Sequence, residues 1–136
     1  MNKENTQKLF NRFSFYKPQR PVTQSLMGFG FECGDGWFDL IWKLSEDIEN
    51  ELKNEDSRIQ IKQRLKDDPP FEVIQVKEKF GELRFYANGG NDKIQDLIDS
   101  AERKSVQICE NCGKPGKTRG EGWITTLCDE CNKRQE

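Results

Sequence analysis

Four of the five cysteines fall in two tight pairs, Cys109-Glu110-Asn111-Cys112 and Cys128-Asp129-Glu130-Cys131, separated by residues 113 to 127. The pattern C-x2-C-x15-C-x2-C fits one tetrahedral four-thiolate zinc site. Each C-x-x-C turn aims two sulfurs at one point, and the intervening segment brings the second pair round to close the tetrahedron. The chain has no histidine, so a mixed cysteine–histidine site is excluded. Four sulfurs leave no position at which a water could be activated, which makes such a metal structural rather than catalytic. The rival readings are a redox use of the C-x-x-C motifs and a pair of disulfides.

The residues between the pairs sharpen the zinc reading. Gly113 suits the positive-φ step of a metal knuckle. The stretch from Lys114 to Trp123, with Pro115, Gly116, Gly120 and Gly122, reads as turns. Trp123 to Leu127 is β-prone and leads into the second pair. Asp129 to Arg134 reads as a helical turn, acidic first and basic last, as the helix dipole favours. Knuckle, hairpin and helix in that order resemble a treble-clef finger, of the GATA-type variety in outline. That likeness covers residues 109–134 and implies fold rather than function.

A length of 136 residues allows an α+β domain over 1–108 followed by the finger over 109–136. Charged residues make up 34% and hydrophobic residues 33%, a thin supply for a core, and a metal offsets that shortage. The opening Met1 to Lys8 is polar, and no apolar run approaches a membrane span. Free thiols with an odd fifth cysteine, Cys33, point to a reducing, cytoplasmic setting. Charge argues against an extensive duplex-DNA footprint. Residues 1–35 carry +2, residues 36–100 carry −5 and residues 101–136 carry +1, within a net −2. Lys114, Lys117 and Arg119 are diluted by Glu110, Glu121, Asp129 and Glu130, which leaves room for a small single-stranded contact only.

Ahead of the finger, a short helix is expected near Thr6–Phe13, followed by an extended, aromatic-rich segment broken by Pro18, Pro21, Gly28 and Gly30. Its aromatics (Phe10, Phe13, Phe15, Tyr16, Phe29 and Phe31) read as core filler or, alternatively, as a partner surface. Trp37, Leu40, Ile41, Leu44 and Ile48 mark one apolar face of a helix running to about Leu52, with Asp35 as its N-cap. Residues 54–68 fit helix or strand, and Pro69-Pro70 ends them. Phe71 to Ala87 reads as a β-hairpin with Phe80-Gly81 at the turn. That register puts Ile74, Val76, Leu83 and Phe85 on one face and Gln75, Lys77, Lys79, Glu82, Arg84 and Tyr86 on the other. A second helix follows, with Asp92 and Gln95 as a capping box, carrying Ile94, Leu97, Ile98, Ala101 and Ile108 toward the hairpin. It runs nearly into Cys109, so the finger is expected to dock on the domain.

Lys77 and Arg84 face each other across the hairpin, a like-charge pairing that destabilises a sheet and singles out the face. With Lys79 and Tyr86 beside them, they could hold an anionic, nucleotide-like ligand, Tyr86 stacking on a base. Neutralisation by Glu78, Glu82 or a helix carboxylate is the bland alternative. Without histidine, no serine–histidine, cysteine–histidine or H-E-x-x-H arrangement exists. Neither a phosphate loop nor a dinucleotide fingerprint is present, so no enzyme activity is expected.

The strings Gly28 to Trp37, Gln75 to Tyr86 and Cys109 to Gly113 together resemble a family of small phage, prophage and bacterial proteins. The resemblance spans most of the chain and implies a phage-linked setting. It places Asp35, Trp37, Lys77, Lys79, Arg84 and Tyr86 inside the motif strings as candidate ligand-binding residues. Two functions remain open. One is a zinc-stabilised, non-enzymatic protein that binds a host protein through its finger and aromatic surface. The other is a binder of an anionic nucleotide-like molecule at the hairpin face.

Overall fold

The computed structural model describes residues 1–64 and 71–134. They form an α+β domain with the four-cysteine segment packed against it. Helix α1 spans Lys3–Arg12, earlier than its apolar residues alone suggest, because Asn2 caps it by accepting the Asn5 N–H at 2.8 Å. Strand β1 (Phe31–Glu32) follows an irregular stretch, and one 3₁₀ turn (Asp35–Trp37) leads into α2 (Phe38–Lys53). Asp35 does not cap that helix. Its carboxylate accepts Asn2 N at 2.8 Å and Asn5 Nδ2 at 3.2 Å, and so ties α1 to the start of α2. Ile41, Leu44 and Ile48 form the buried stripe of α2. Helix α3 (Glu55–Arg64) resolves the helix-or-strand ambiguity in favour of helix, with the Asn54 side chain accepting Ser57 N at its start. The expected Pro69-Pro70 stop lies outside the described residues.

Strands β2 (Phe71–Lys79) and β3 (Glu82–Gly89) form the hairpin, with Gln75 opposite Tyr86, Val76 opposite Phe85, Lys77 opposite Arg84 and Lys79 opposite Glu82. This is the register read from the alternation. The sheet has a third strand that the sequence does not announce: β1 pairs in parallel with β2, Phe31 beside Val76 and Glu32 beside Lys77. A bulge between Val73 and Gln75 corrects one face assignment. Val73, fully buried, takes the core position expected of Ile74, and Ile74 turns outward. The far edge of β2 imposes this shift. Val73 N donates to Phe15 O at 3.0 Å, and Leu26 N donates to Ile74 O at 2.7 Å.

Helix α4 (Asp92–Ser105) packs on β3 and on α2. Asn91, not Asp92, is its cap, accepting Ile94 N at 3.0 Å. Gln95 turns to Asp99 instead of closing a capping box. Ile94, Ile98 and Ala101 are buried and Leu97 is half-buried, as the stripe predicts. The core lies between α1, α2, α4 and the inner face of the sheet. Of the six aromatics read as filler, Phe13, Phe15, Tyr16 and Phe31 are buried and Phe10 packs against them, whereas Phe29 is exposed. They meet in edge and stacked contacts such as Tyr16 on Phe31 at 5.1 Å and Phe13 on Phe15 at 5.6 Å. The Tyr16 hydroxyl finds Ser45 Oγ at 2.7 Å, and Ser45 in turn donates to Ile41 O. Among the described residues, no helix is long and apolar enough to cross a membrane.

The C-terminal segment comprises β4 (Lys117–Arg119), β5 (Thr125–Leu127) and α5 (Asp129–Arg134). The two strands pair antiparallel, Thr118 opposite Thr126. A short strand therefore stands where turns alone were expected, and the β-prone run begins two residues later than Trp123. Cys109, Leu127, Cys128 and Cys131 form a second, small buried cluster of their own.

Candidate metal centre and hairpin face

The two cysteine pairs converge. The sulfurs of Cys109, Cys112, Cys128 and Cys131 all lie within 4.8 Å of one another. A tetrahedral ion with ~2.3 Å metal–sulfur bonds needs sulfurs about 3.8 Å apart, so one ion fits among them. Cys112 and Cys128, from opposite pairs, are 3.6 Å apart, well beyond the ~2.05 Å of a disulfide, and all five cysteines are free thiols. Cys109, Cys128 and Cys131 are buried, and only Cys112 faces solvent.

Backbone geometry explains why the pairs aim as they do. Gly113, at φ +82°, lets the chain double back so that Gly113 N donates to Cys109 O at 2.9 Å and Cys109 N donates to Lys114 O at 2.7 Å. At the second pair, Cys131 N points at Cys128 Sγ at 3.4 Å in the first turn of α5. The electrostatics call for a cation. Burial opposes charge on Cys109, yet N–H groups of Cys128, Cys112 and Asn111 outweigh it and bring the thiol down to about 6. Cys131 is driven the other way, up to about 12, by its hydrogen-bonded neighbour Cys128, by burial and by the Cys109 thiolate. Cys109 is thus favoured as a thiolate while Cys131 is held protonated beside it, and a divalent cation among the four sulfurs would favour the thiolate form of each ligand. Arg119 braces the surroundings, donating to Leu127 O at 3.2 Å and to Asp129 at 2.6 Å.

The finger docks on the domain through hydrogen bonds that each use at least one backbone group. Trp37 Nε1 donates to Ile108 O at 2.9 Å, Gly36 N to Glu110 O at 2.7 Å and Gly34 N to Glu110 Oε2 at 2.8 Å. Any side chain on Gly34 or Gly36 would collide with the Cys109–Glu110 backbone, so these two glycines mark a close approach. On the other side, Glu110 N donates to Thr126 O at 3.0 Å and the Thr126 hydroxyl donates to Gly81 O. Gly81 is held by Glu78, whose carboxylate accepts Gly81 N at 2.7 Å. Burial raises the Glu110 carboxyl above its ordinary range, against the pull of Gly34 N. The three motif strings therefore meet at one junction. Glu110, Thr126 and Gly81 escape a reading by spacing, although the Gly34-Asp35-Gly36 pattern before a tryptophan was a signal of close packing.

The remaining candidate residues divide in two. Asp35 and Trp37 belong to the junction. Trp37 is fully buried with its N–H already donated, so it offers no surface to a ligand. Lys77, Lys79, Arg84 and Tyr86 share the outer face of the hairpin. The opposed cations there are partly neutralised: Arg84 bends to Glu82 at 2.6 Å, and Glu32 stands on the other flank of Lys77. Lys79 lies over the Phe80 ring, 5.7 Å from its centroid. Lys77 makes no ion pair among the described residues. Two exposed aromatics were not singled out from the sequence: Phe80, at φ +54°, and Trp123, 85% exposed. Compared with protein-family models, with curated proteins and with solved structures, the chain has no match.

Proposed function

We propose that this chain is a zinc-stabilised, non-enzymatic binding protein that engages a protein partner through the tip of its hairpin and its finger. Zinc is the ion that an all-thiolate, tetrahedral, closed site of this size favours. With every donor a sulfur, the ion holds the finger's shape and does no chemistry. The observation that carries the binding role is Phe80. A two-residue turn with positive φ at both positions favours Asn-Gly, yet this one is Phe80-Gly81, at +54° and +78°. The phenylalanine is 66% exposed, so packing does not explain it either. A bulky residue held in a strained conformation and turned to solvent supports a contact role.

Trp123 supports the same reading. Thr126, three residues after Trp123, donates its hydroxyl to the carbonyl of Gly81, the residue after Phe80, so these exposed aromatics lie close in sequence to one contact between hairpin and finger. Tryptophan and phenylalanine on a rigid platform are the anchors that protein interfaces use. The buried Phe13, Phe15, Tyr16 and Phe31 take no part, so the partner surface is smaller than the aromatic composition suggested. The resemblance to small phage proteins makes a host protein the partner to test first. Affinity capture from host-cell lysate should retain proteins on the wild type that Phe80→Asn and Trp123→Ala both release. Identical capture by all three forms would sink the proposal.

A further inference from the structure

The β2 bulge turns Ile74 out of the core and into a cavity of about 330 Å³ on the outer face of the sheet. Val22, Leu26, Ile74 and Tyr86 give it an apolar wall, with the amides of Gln24 and Gln75 at its rim. The wall is anchored rather than loose. Leu26 N donates to Ile74 O at 2.7 Å, and Ser25 Oγ accepts Met27 N at 3.1 Å and donates to Ile74 O at 3.4 Å. The volume falls at the small end of ligand cavities. Tyr86, 40% exposed, offers part of its ring to an occupant.

Charge lies at one end of this cavity. Gln75 and Tyr86 are cross-strand partners, and the next pair on the same face, roughly 7 Å along, is Lys77 and Arg84. Lys79 and Glu82 follow, and Glu32 flanks Lys77, so three cations face two carboxylates. Glu82 holds Arg84 at 2.6 Å, whereas neither Lys77 nor Lys79 makes an ion pair among the described residues; Lys79 lies over the Phe80 ring at the tip, and Lys77 is the lysine nearer the cavity. The amides have spare capacity. Gln75 donates one long contact to Glu32 at 3.3 Å, and Gln24 accepts one from Arg20 at 3.4 Å. An aromatic wall, amide edges and a cation at one end complement a planar heterocycle joined to an anion.

We propose that this site binds a nucleoside monophosphate, its base against Tyr86 and its phosphate on Lys77 and Arg84. The phosphate takes Lys77 first and draws Arg84 from Glu82, giving charge-assisted contacts that a neutral ligand cannot make. Base stacking on Tyr86 supplies the rest. The site lies toward the opposite end of the hairpin from Phe80, so its success or failure is independent of the partner surface at the tip.

Isothermal titration of the full, zinc-loaded chain with the common ribonucleoside 5′-monophosphates tests the assignment. At least one should bind saturably at one per chain, with its nucleoside and inorganic phosphate each weaker by about tenfold or more. Tyr86→Ala and Lys77→Gln should each weaken binding by about tenfold while leaving the melting temperature nearly unchanged, and Tyr86→Phe should retain it. Absence of saturable binding by every monophosphate would overturn the proposal. So would phosphate binding as tightly as the best nucleotide, or wild-type affinity in both Tyr86→Ala and Lys77→Gln. A single-stranded oligonucleotide that outcompetes every monophosphate would replace the small ligand with a nucleic-acid strand.

Discussion

The indole N–H of Trp37 donates to the carbonyl of Ile108, 2.9 Å away and one residue before the first thiol. A fully buried side chain at the head of α2 thereby fixes where the finger begins. Trp37→Phe removes the donor and leaves a gap at a closed site. Leaving this partly buried carbonyl unpaired costs about 1–3 kcal/mol, and the cavity left by the fully buried indole adds to it. We expect a loss of about 2–4 kcal/mol in denaturant unfolding. Gly36→Ala attacks the same junction from the backbone side, since its Cβ would strike the Cys109 and Glu110 carbonyls. A Gly36→Ala protein within about 0.5 kcal/mol of wild type would show that the docking is not rigid.

Metal content gives a second test. Freshly purified protein should carry one zinc per chain, and Cys109→Ser, Cys112→Ser, Cys128→Ser and Cys131→Ser should each lose it. Chelation should remove hydrogen-exchange protection from Thr125–Leu127 and weaken it at Gly34 and Gly36, whose amide hydrogens end on Glu110. Full protection after metal removal would mean that the hairpin and junction hold the finger by themselves.

How far the sequence reaches can be seen residue by residue. The cysteine site is legible because its ligands are local pairs whose spacing encodes their geometry. The register of Lys77 with Arg84 is equally legible, since strict alternation and a two-residue turn determine it. Ile74 is misassigned because Phe15 and Leu26 impose the bulge from distant segments, and periodicity carries no trace of them. Strand β1 has two residues, too few to show a period. Asp35 looks like a cap for α2, but its carboxylate is used by Asn2 and Asn5 at the other end of a long loop. The strain at Phe80 was readable in principle, since the turn placement already put a phenylalanine where asparagine is favoured.

Cys33 should be chemically quiet. Burial pushes its thiol up to about 12; Glu110, Asp35 and Glu78 add to the rise and the Met1 amino group opposes it. At neutral pH almost no thiolate is present, so alkylation of the native, zinc-loaded chain should be slow and should follow unfolding. In the unfolded chain this thiol ionises near its ordinary value of 9.0, so the folded form keeps a proton that the unfolded form gives up. The contribution of Cys33 to stability is therefore complete below pH 9 and declines as pH rises toward 12. Tyr16, raised by burial, acts in the same direction. An unfolding free energy that stays flat over that alkaline range would contradict the buried placement of both.

Phe80→Asn should separate stability from function. Asparagine tolerates the left-handed region that phenylalanine resists, so the variant should gain about 0.5–1 kcal/mol while losing its partner. A less stable variant would mean that the Lys79–Phe80 contact outweighs the backbone strain.

Ser105 closes the outer edge of β3 and provides the final test. Its hydroxyl accepts Leu83 N at 2.9 Å and donates to Glu102 O at 2.6 Å, while Glu102 Oε2 accepts Phe85 N at 2.9 Å. Two of the edge's outward N–H groups are thus held by α4 instead of being left to template another strand. Ser105 and Leu83 are fully buried, so Ser105→Ala leaves a donor without water or protein to satisfy it. The expected cost is about 1–3 kcal/mol, with little change in packing volume. Glu102→Ala opens the half-exposed part of the edge, where water can replace the carboxylate, so its cost should be smaller and its signature should be self-association at high concentration. Glu102→Gln keeps an acceptor in place and should behave as wild type. Light scattering and denaturant titration of the three variants discriminate the roles: a Ser105→Ala protein as stable as wild type would mean that Leu83 finds another acceptor, and a monomeric Glu102→Ala protein would mean that the edge is guarded by something other than α4.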